Sequence, residues 1–285
     1  MRINHNIASM VTQSALYQTG KAMDTSLERL STGLRINRAS DDAAGLAISE
    51  NLRTQVRGVS QAQKNAQDGI AALQIAEGAA NEISSILQRM RELAVQSSND
   101  TLTTTERGYT DQEFQALDSE ILRISSVTNY NKRTLIDATA TRFGYSTAAG
   151  TGAALWIDAN GTAGTDSITV TIDTLSNAAG ALNTTALLVT TQANAVAAIT
   201  GLDNAINSVN NARAKIGALV NRLEHAVNNL MVSETNQAAA ESMIRDVDFA
   251  TETSVFTKNQ ILTQSATSML AQANMAPSSV LSLLK

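Results

Sequence analysis

The side chains that most often perform chemistry in proteins are scarce in this sequence. It contains two histidines, His5 and His225, and no cysteine. A Ser-His-Asp triad or a multi-histidine metal site would need one of these imidazoles, yet both lie in stretches with helical patterning. No Walker loop, HExxH motif or glycine-rich dinucleotide fingerprint is present. The sequence therefore predicts no cofactor, no metal site and no enzymatic activity, with both histidines on a surface or a helix seam.

Two adjacent carboxylates, Asp41 and Asp42, form the remaining pair that could act as an acid and a base. They stand directly before a helical run that begins at Ala43, where Asp and Ser oxygens are favoured as caps for unpaired backbone amides. Negative charge at a helix start is also stabilised by the helix dipole. We expect these residues to cap a helix, so that residues 33–42 join two helices.

The composition favours long helices over a globular, aromatic-rich core. Hydrophobic residues make up 43% of the chain, but aromatic residues are only 3%. There is one proline, Pro277, where average usage of about 5% predicts on the order of 14. Because proline interrupts helices, its scarcity permits long uninterrupted ones. The net charge of −5 argues against a nucleic-acid partner, and no apolar run suits a membrane span or a Sec signal peptide.

Apolar residues at helical spacing predict several long helices. Residues 43–97 indicate one helix of about 80 Å at about 1.5 Å per residue, followed by a polar break at residues 99–105 and a second helix. The most regular heptad seam runs through Ile199, Leu202, Ile206, Val209, Arg213, Ile216, Val220, Leu223, Val227 and Leu230. The predicted carboxyl-terminal stripe is Val255, Asn259, Leu262, Ala266, Met269, Ala273, Ala276 and Val280. Its expected counterpart at the amino terminus includes Leu16, Met23, Leu27, Leu30 and Leu34.

Between residues 137 and 190 the pattern changes from helix to strand. Leu155, Trp156 and Ile157 form a short apolar run, and a second stretch alternates Ile168, Val170 and Ile172 with polar residues. The segment between the two runs is rich in turn residues. This arrangement predicts a β-hairpin.

Two sequence blocks carry a resemblance to a known family. They are GLRINRASDDAAGLAISENLR at residues 33–53 and QILTQSATSMLAQANMAPSSVLSLLK at residues 260–285. Together they resemble bacterial flagellin, and the resemblance covers roughly residues 1–137 and 200–285. It implies a mainly α fold with a small β-hairpin region, built as a long antiparallel helical coiled-coil bundle. The short middle segment resembles a minimal form without large outer domains.

The resemblance also implies a division of the chain into assembly and core segments. The expected parts are residues 1–40 as an amino-terminal assembly helix, 41–140 as core helices, 141–195 as a solvent-facing hairpin region, 196–245 as the core return helix, and 246–285 as a carboxyl-terminal assembly helix. The two assembly helices are expected to pair and line an inner tube. The predicted assembly residues are Leu27, Leu30, Leu34, Val255, Leu262, Met269 and Val280.

As a function, the resemblance implies a structural subunit that polymerises into the extracellular flagellar filament used for swimming. It implies secretion through the flagellar type III apparatus without a cleaved signal peptide, and partnership with an export chaperone, a cap protein and hook-associated proteins. It also places Arg89, Leu93 and Glu113 on the surface recognised by the vertebrate Toll-like receptor that senses flagellin. The alternatives are a hook-filament junction protein and a coiled-coil binding module that never polymerises.

Overall fold

The computed structural model describes residues 5–137, 143, 153–160, 166–176 and 182–282, with residues 276–282 described by their backbone only. Within these ranges the chain forms five helices and four short strands. In chain order they are α1 (Ile7–Thr32), α2 (Ala43–Ser97), α3 (Thr104–Val127), β1 (Asn129–Tyr130), β2 (Arg133–Thr134), β3 (Ala153–Trp156), β4 (Ser167–Val170), α4 (Gln192–Arg245) and α5 (Phe249–Ser282). The predicted mainly α fold with a small hairpin is confirmed.

Helix ends follow the capping chemistry of the sequence. The predicted break between α2 and α3 is confirmed, and α3 begins with a capping box in which Thr103 and Glu106 exchange side-chain-to-backbone hydrogen bonds. These bonds from Thr103 lower the pKa of Glu106. At the end of α1, Gly33 adopts the left-handed conformation at φ 72° and donates its N–H to the Arg29 carbonyl. Glycine reaches that conformation without a Cβ clash, so α1 stops cleanly at this residue.

The hairpin predicted from alternating apolar residues is also confirmed. Strands β3 and β4 pair antiparallel, with Ala153 opposite Val170 and Trp156 opposite Ser167. The sequence analysis missed a second, smaller hairpin, in which β1 and β2 flank a turn at Asn131 and Lys132. Both turn residues have positive φ, at 49° and 63°. Two consecutive positive φ values match the twist of a tight two-residue hairpin, for which asparagine is a favoured first residue.

The described helices are distributed over two compact units. Unit 1 comprises Met1–Thr54 and Thr235–Lys285, and unit 2 comprises Gln55–Glu234. Unit 1 therefore takes more of the chain than the predicted assembly helices, because it also contains residues 43–54 of α2 and 235–245 of α4. No described helix combines the length and the apolar character that crossing a lipid bilayer requires.

Unit 2 is an antiparallel helical bundle around an apolar core. Arg91 of α2 bonds Asp203 of α4 at 2.7 Å, and Gln63 bonds Glu234 at 2.9 Å. The buried stripe of α4 consists of Ala195, Ala198, Leu202, Ala205, Val209, Ala212, Ile216, Leu219 and Leu223. It shares four positions with the predicted seam, whose other members include the half-buried Ile199, Ile206 and Val220. Four of the nine buried positions are alanines, whose small side chains let neighbouring helices approach closely.

The β3–β4 hairpin lies against α2 where two glycines leave room for it. A Cβ on Gly69 would collide with the Leu155 side chain, and one on Gly58 would collide with Ala159. The Asn65 amide, which lies between these glycines on α2, donates a hydrogen bond to the Trp156 carbonyl at 3.2 Å. The two glycines of α2 thus allow the hairpin to pack closely against this helix.

We expect Leu223→Asp to unfold unit 2, because Leu223 is completely buried. The change removes a packed side chain and buries a carboxylate without a partner, at a cost of roughly several kcal/mol. The matched control is Leu262→Asp on α5, where the leucine is exposed in the single chain. Thermal unfolding followed by circular dichroism should show a much lower melting temperature for Leu223→Asp only. Equal destabilisation by both changes would contradict this assignment.

Candidate assembly interface

Helices α1 and α5 pair antiparallel within unit 1. Near the start of α1, the Asn6 amide donates to the Ala273 carbonyl at 2.8 Å, and the Ser9 hydroxyl donates to the Asn274 side chain at 2.9 Å. Near the other end, Arg29 and Glu252 form an ion pair at 3.6 Å. The predicted pairing of the amino-terminal and carboxyl-terminal helices is therefore confirmed.

The seam between these helices is dominated by small and polar side chains. On α1 the buried and half-buried residues recur at steps of three and four: Ser9, Thr12, Leu16, Thr19, Met23, Ser26 and Leu30. On α5 they are Glu252, Phe256, Asn259, Thr263, Ala266, Leu270 and Ala273. Each strip therefore has a heptad pattern, but only a few of its positions carry large apolar groups. At about 25 cal/mol per Å² of apolar area, such a seam stabilises the pair weakly.

The predicted seam of α5 is wrong by about one position. Its smaller members Asn259, Ala266 and Ala273 do face α1, but Val255, Leu262 and Met269 are exposed. Phe256, Thr263 and Leu270 occupy the seam instead, each one position beyond the predicted residue. The same rotation brings Glu252 toward Arg29, where its charge is paired.

Rotation of α5 leaves apolar residues aligned on the outside of the helix pair. We call these rows the outer stripes: Met10 and Tyr17 on α1, Val255, Leu262 and Met269 on α5, and Ile261 and Met275 farther around α5. Members of each stripe are one or two heptads apart, so they lie on one side of their helix. Rows of exposed apolar side chains are typical of surfaces that associate with other proteins.

The other predicted assembly residues lie close to the seam or beyond the described side chains. Leu27 is exposed, whereas Leu30 is half-buried in the seam. Leu34 is half-buried after the end of α1. The side chain of Val280 lies outside the described residues.

Backbone hydrogen bonds join the α1–α2 connection to the α4–α5 connection. Leu34 forms an isolated antiparallel bridge with Asp246. The Arg35 N–H donates to the Arg245 carbonyl at 2.6 Å, and the Val247 N–H donates to the Gly33 carbonyl at 3.0 Å. These bonds fix the two helix connections of unit 1 side by side.

Ion pairs between α2 and α4 stand beside this junction. The guanidinium of Arg245, which is largely buried, contacts Glu50 at 2.6 Å, and Arg53 contacts Glu241 at 3.2 Å. Each ion pair stabilises a charge that is partly removed from water. Removing one partner would leave the other charge unpaired, which destabilises the fold. Sequence patterning did not identify these partners, since they are distant along the chain.

Both carboxylates of the Asp41–Asp42 pair are engaged by backbone amides. Asp42 Oδ1 accepts a hydrogen bond from the Gly45 N–H at 2.9 Å, which confirms the predicted cap of α2. Asp41 Oδ2 accepts from the N–H groups of Arg38 and Asn37, at 3.0 and 3.1 Å. These bonds, that of Arg38 first, lower the pKa of Asp41. A Cβ at Gly45 would collide with the Asp42 carboxylate, so the cap also depends on that glycine.

The structure brings no catalytic or metal-binding constellation together in the part of the chain it describes. His5 and His225 are both exposed. The sequence predicted each of them on a surface or in a helix seam, and the structure places both on the surface. Within those same residues, no group of three or more His, Cys, Asp or Glu side chains is placed to hold a metal ion.

The predicted receptor residues divide into an exposed pair and a buried side chain. Arg89 on α2 bonds Glu113 on α3 at 2.9 Å and Glu92 at 3.1 Å, and all three side chains are exposed. The hydrogen bonds that Arg89 donates to the Glu113 carboxylate raise the pKa of Arg89. Leu93 is only 1% exposed and packs in the core of unit 2. Leu93 lies four residues after Arg89 on α2 but belongs to the buried stripe of that helix, whereas Arg89 lies outside the stripe.

Comparison with known proteins agrees with this architecture at both ends. The family model described as "Bacterial flagellin N-terminal helical region" matches residues 3–141. The model described as "Bacterial flagellin C-terminal helical region" matches residues 199–284. The chain belongs to the bacterial flagellin family. These matches contain α1, α2 and α3 on one side, and α5 with most of α4 on the other.

Similarity to individual members of the flagellin family extends over the whole chain. Flagellin of Bacillus subtilis is 45% identical, and flagellin of Halalkalibacterium halodurans is 43% identical. A flagellar filament 33 kDa core protein of Treponema phagedenis is also 43% identical. In all three cases the alignment covers 100% of both chains. The crystal structure of Bacillus cereus flagellin matches with a TM-score of 0.49 and 33% identity, covering 62% of this chain and 94% of that one.

Acid should loosen the connection between α1 and α2 in this flagellin-family chain. The pKa of Asp41 in the folded chain lies below its ordinary value of 3.8. Its hydrogen bonds therefore stabilise the fold fully above that ordinary value and are lost as the pH falls through the lowered pKa. We expect hydrogen-exchange protection of the Asn37 and Arg38 amides to hold while the pH stays above 3.8 and to fall as the pH drops below that value.

The control for the acid response is Asp41→Asn, whose side-chain oxygen keeps an acceptor but no longer titrates. Protection factors in this variant should be lower at neutral pH, because the charge-assisted bonds are weakened. They should then change little as the pH falls below 3.8. A pH profile identical to that of the unsubstituted chain would refute the role given to Asp41.

Proposed function

We propose that this chain is the structural subunit of an extracellular flagellar filament used for swimming. The observation that carries the proposal is the combination of full-length similarity to flagellins with the outer stripes of the α1–α5 pair. Relatives over the whole length bear the names flagellin and flagellar filament core protein. The function of such a protein depends on the shape of its surfaces, since the same contacts must repeat between all subunits of the filament.

The two helices of unit 1 that carry the outer stripes are the proposed inner-tube elements. Their mutual seam is weakly apolar, and large apolar side chains such as Tyr17 and Leu262 remain in water in the single chain. Packing against further copies would remove these groups from water. When the contacting faces differ and the rotation between copies does not close a ring, repeated association forms an open helical assembly. The exposed outer stripes support such a homopolymeric filament.

Secretion and assembly partners complete the proposal. We infer export through the flagellar type III apparatus without a cleaved signal peptide, aided by an export chaperone. A cap protein and hook-associated proteins would meet the same terminal helices at the ends of the filament. These partners rest on membership of the flagellin family.

Electron microscopy of the purified chain tests the proposal. Addition of filament seeds, or of an excluded salt such as ammonium sulfate, strengthens burial and should produce long uniform tubes. A hook-filament junction protein would add to filament ends without growing long tubes, and a coiled-coil binding module would remain monomeric. Either of those two outcomes would reject the filament subunit.

Leu262→Asp should prevent filament growth while leaving the single chain folded. Leu262 is exposed in the single chain and lies in the middle of an outer stripe. In an assembled lattice the introduced carboxylate would be buried without a partner, at a cost of roughly several kcal/mol per subunit. Sedimentation of polymer, combined with circular dichroism of monomer, measures the two effects separately. Thr257→Asp on α5, where a polar side chain is already exposed, is the matched control and should assemble.

We further propose that Arg89 and Glu113 belong to a surface that the vertebrate Toll-like receptor for flagellin recognises. Their support in this chain is the exposed, mutually bonded pair on α2 and α3. Leu93 is not included, because its side chain is buried in the core. Any effect of Leu93→Ala would therefore come through packing of unit 2.

Arg89→Ala should weaken receptor signalling by the monomer in a reporter cell. Loss of an anchor side chain at an interface costs on the order of 1 to 2 kcal/mol, or about tenfold in potency. Arg123→Ala is the control, because Arg123 is also exposed and paired, with Glu120 at 2.6 Å. An unsubstituted monomer that fails to signal, or equal losses in both variants, would contradict the proposal.

A further inference from the structure

Methionine is the only source of sulfur in this chain, and its side chains differ widely in exposure. The sequence has eight methionines and no cysteine. Met90 is completely buried in the core of unit 2, and Met23 is half-buried. By contrast, the exposed fractions are 53% for Met231, 61% for Met10, 62% for Met269, 63% for Met275 and 80% for Met243. An oxidant in solution therefore meets several thioethers and no thiol.

Three of these exposed methionines are members of the outer stripes. Met10 is one heptad from Tyr17, Met269 is one heptad from Leu262, and Met275 lies two heptads from Ile261. Each outer stripe therefore contains a thioether. The other two exposed methionines, Met231 and Met243, lie on α4 and belong to no outer stripe.

We propose that Met10, Met269 and Met275 form an oxidation site that controls assembly, with hydrogen peroxide as the class of oxidant. The proposal rests on the filament function given above. A sulfur lone pair attacks one peroxide oxygen, the S–O bond forms and the O–O bond breaks. The leaving oxygen takes up the proton of the transferred one and departs as water. The sulfur loses two electrons, and the peroxide is reduced.

The product changes the surface that the outer stripes present. A thioether is apolar and flexible, whereas a sulfoxide is polar and a strong hydrogen-bond acceptor. Burying that acceptor between subunits costs free energy unless a donor meets it. The outer stripes offer apolar neighbours such as Tyr17, Leu262 and Ile261, whose side chains supply at most the Tyr17 hydroxyl as a donor. The oxidised subunit is therefore a poor building block.

Assembly protects the same sulfurs from the oxidant. In a filament the outer stripes are covered by further copies, so peroxide reaches them slowly. The free subunit is thus the sensitive state, and the filament is the resistant one. A thiol-dependent methionine sulfoxide reductase restores the free subunit by converting two thiols to a disulfide and the sulfoxide to the thioether and water.

The test compares oxidised and untreated chain in the same assembly assay. Monomer is treated with limiting hydrogen peroxide, peptide masses locate each added oxygen, and seeded growth is followed by light scattering. We expect oxygen on the exposed Met10, Met231, Met243, Met269 and Met275 but not on Met90, and a rise of about tenfold or more in the subunit concentration that growth requires. Reductase with dithiothreitol should restore growth. Preformed filaments should resist oxygen addition at Met10, Met269 and Met275.

Variants separate the outer stripes from general damage. A Met10→Leu, Met269→Leu, Met275→Leu variant keeps apolar side chains of similar size and should assemble after peroxide treatment as it does before. Met243→Leu should not protect assembly. The inference is overturned if oxidised unsubstituted chain grows normally, or if Met243→Leu alone restores growth. Failure of the untreated chain to form filaments would instead refute the proposed function, so the two failures are distinguishable.

Discussion

The close approach of helices through small side chains is the interaction on which the described structure depends. In unit 2, Ala205 and Ala212 occupy buried positions of α4, where small side chains favour a close approach of the helices. Two glycines of α2 serve the same purpose for the β3–β4 hairpin. In unit 1, serine, threonine and alanine recur along the facing sides of α1 and α5. Small residues therefore contribute to helix packing in both units.

The two units use this spacing with different chemistry. Unit 2 fills the remaining space with large apolar groups such as Phe114, Leu73 and Ile83, all fully buried. The α1–α5 seam instead buries Asn259 and the Arg29–Glu252 pair, and exposes its larger apolar residues. An apolar core is suited to stability in a single chain. A polar seam with apolar outer faces is suited to a helix pair that further copies complete.

Sequence patterns were sufficient for the elements of the fold but not for the rotation of the helices. The bounds of α2, its Asp42 cap and the β3–β4 hairpin followed from local chemistry, because each depends on neighbouring residues. The inward faces of α4 and α5 were each misplaced by about one position. A search for the largest apolar residues at heptad spacing selects a neighbouring stripe when small residues lie at the centre of a contact. That choice depends on the partner helix, which the local pattern does not contain.

In the candidate sites, too, features that depend on neighbouring residues were predictable, whereas contacts between residues far apart in the sequence were not. The pairing of α1 with α5 was predictable from two matching stripes, whereas the Arg29–Glu252 and Arg245–Glu50 pairs were not. Charges at seam positions give a signal only when the opposing residue is known. The family resemblance grouped Arg89 and Leu93 on one surface, yet Arg89 is exposed and Leu93 is buried in the core of unit 2. A resemblance between sequences does not show where the buried stripe of a helix ends.

The polar character of the α1–α5 seam also has a calorimetric consequence. The heat capacity of unfolding rises with the apolar surface exposed and falls with the polar surface exposed. Separating a seam that contains Ser26, Asn259 and several threonines exposes both kinds together, so the two contributions partly cancel. The enthalpy of pairing therefore varies little with temperature. The helix pair weakens almost linearly on warming and lacks the pronounced low-temperature decline of an association held by apolar surface.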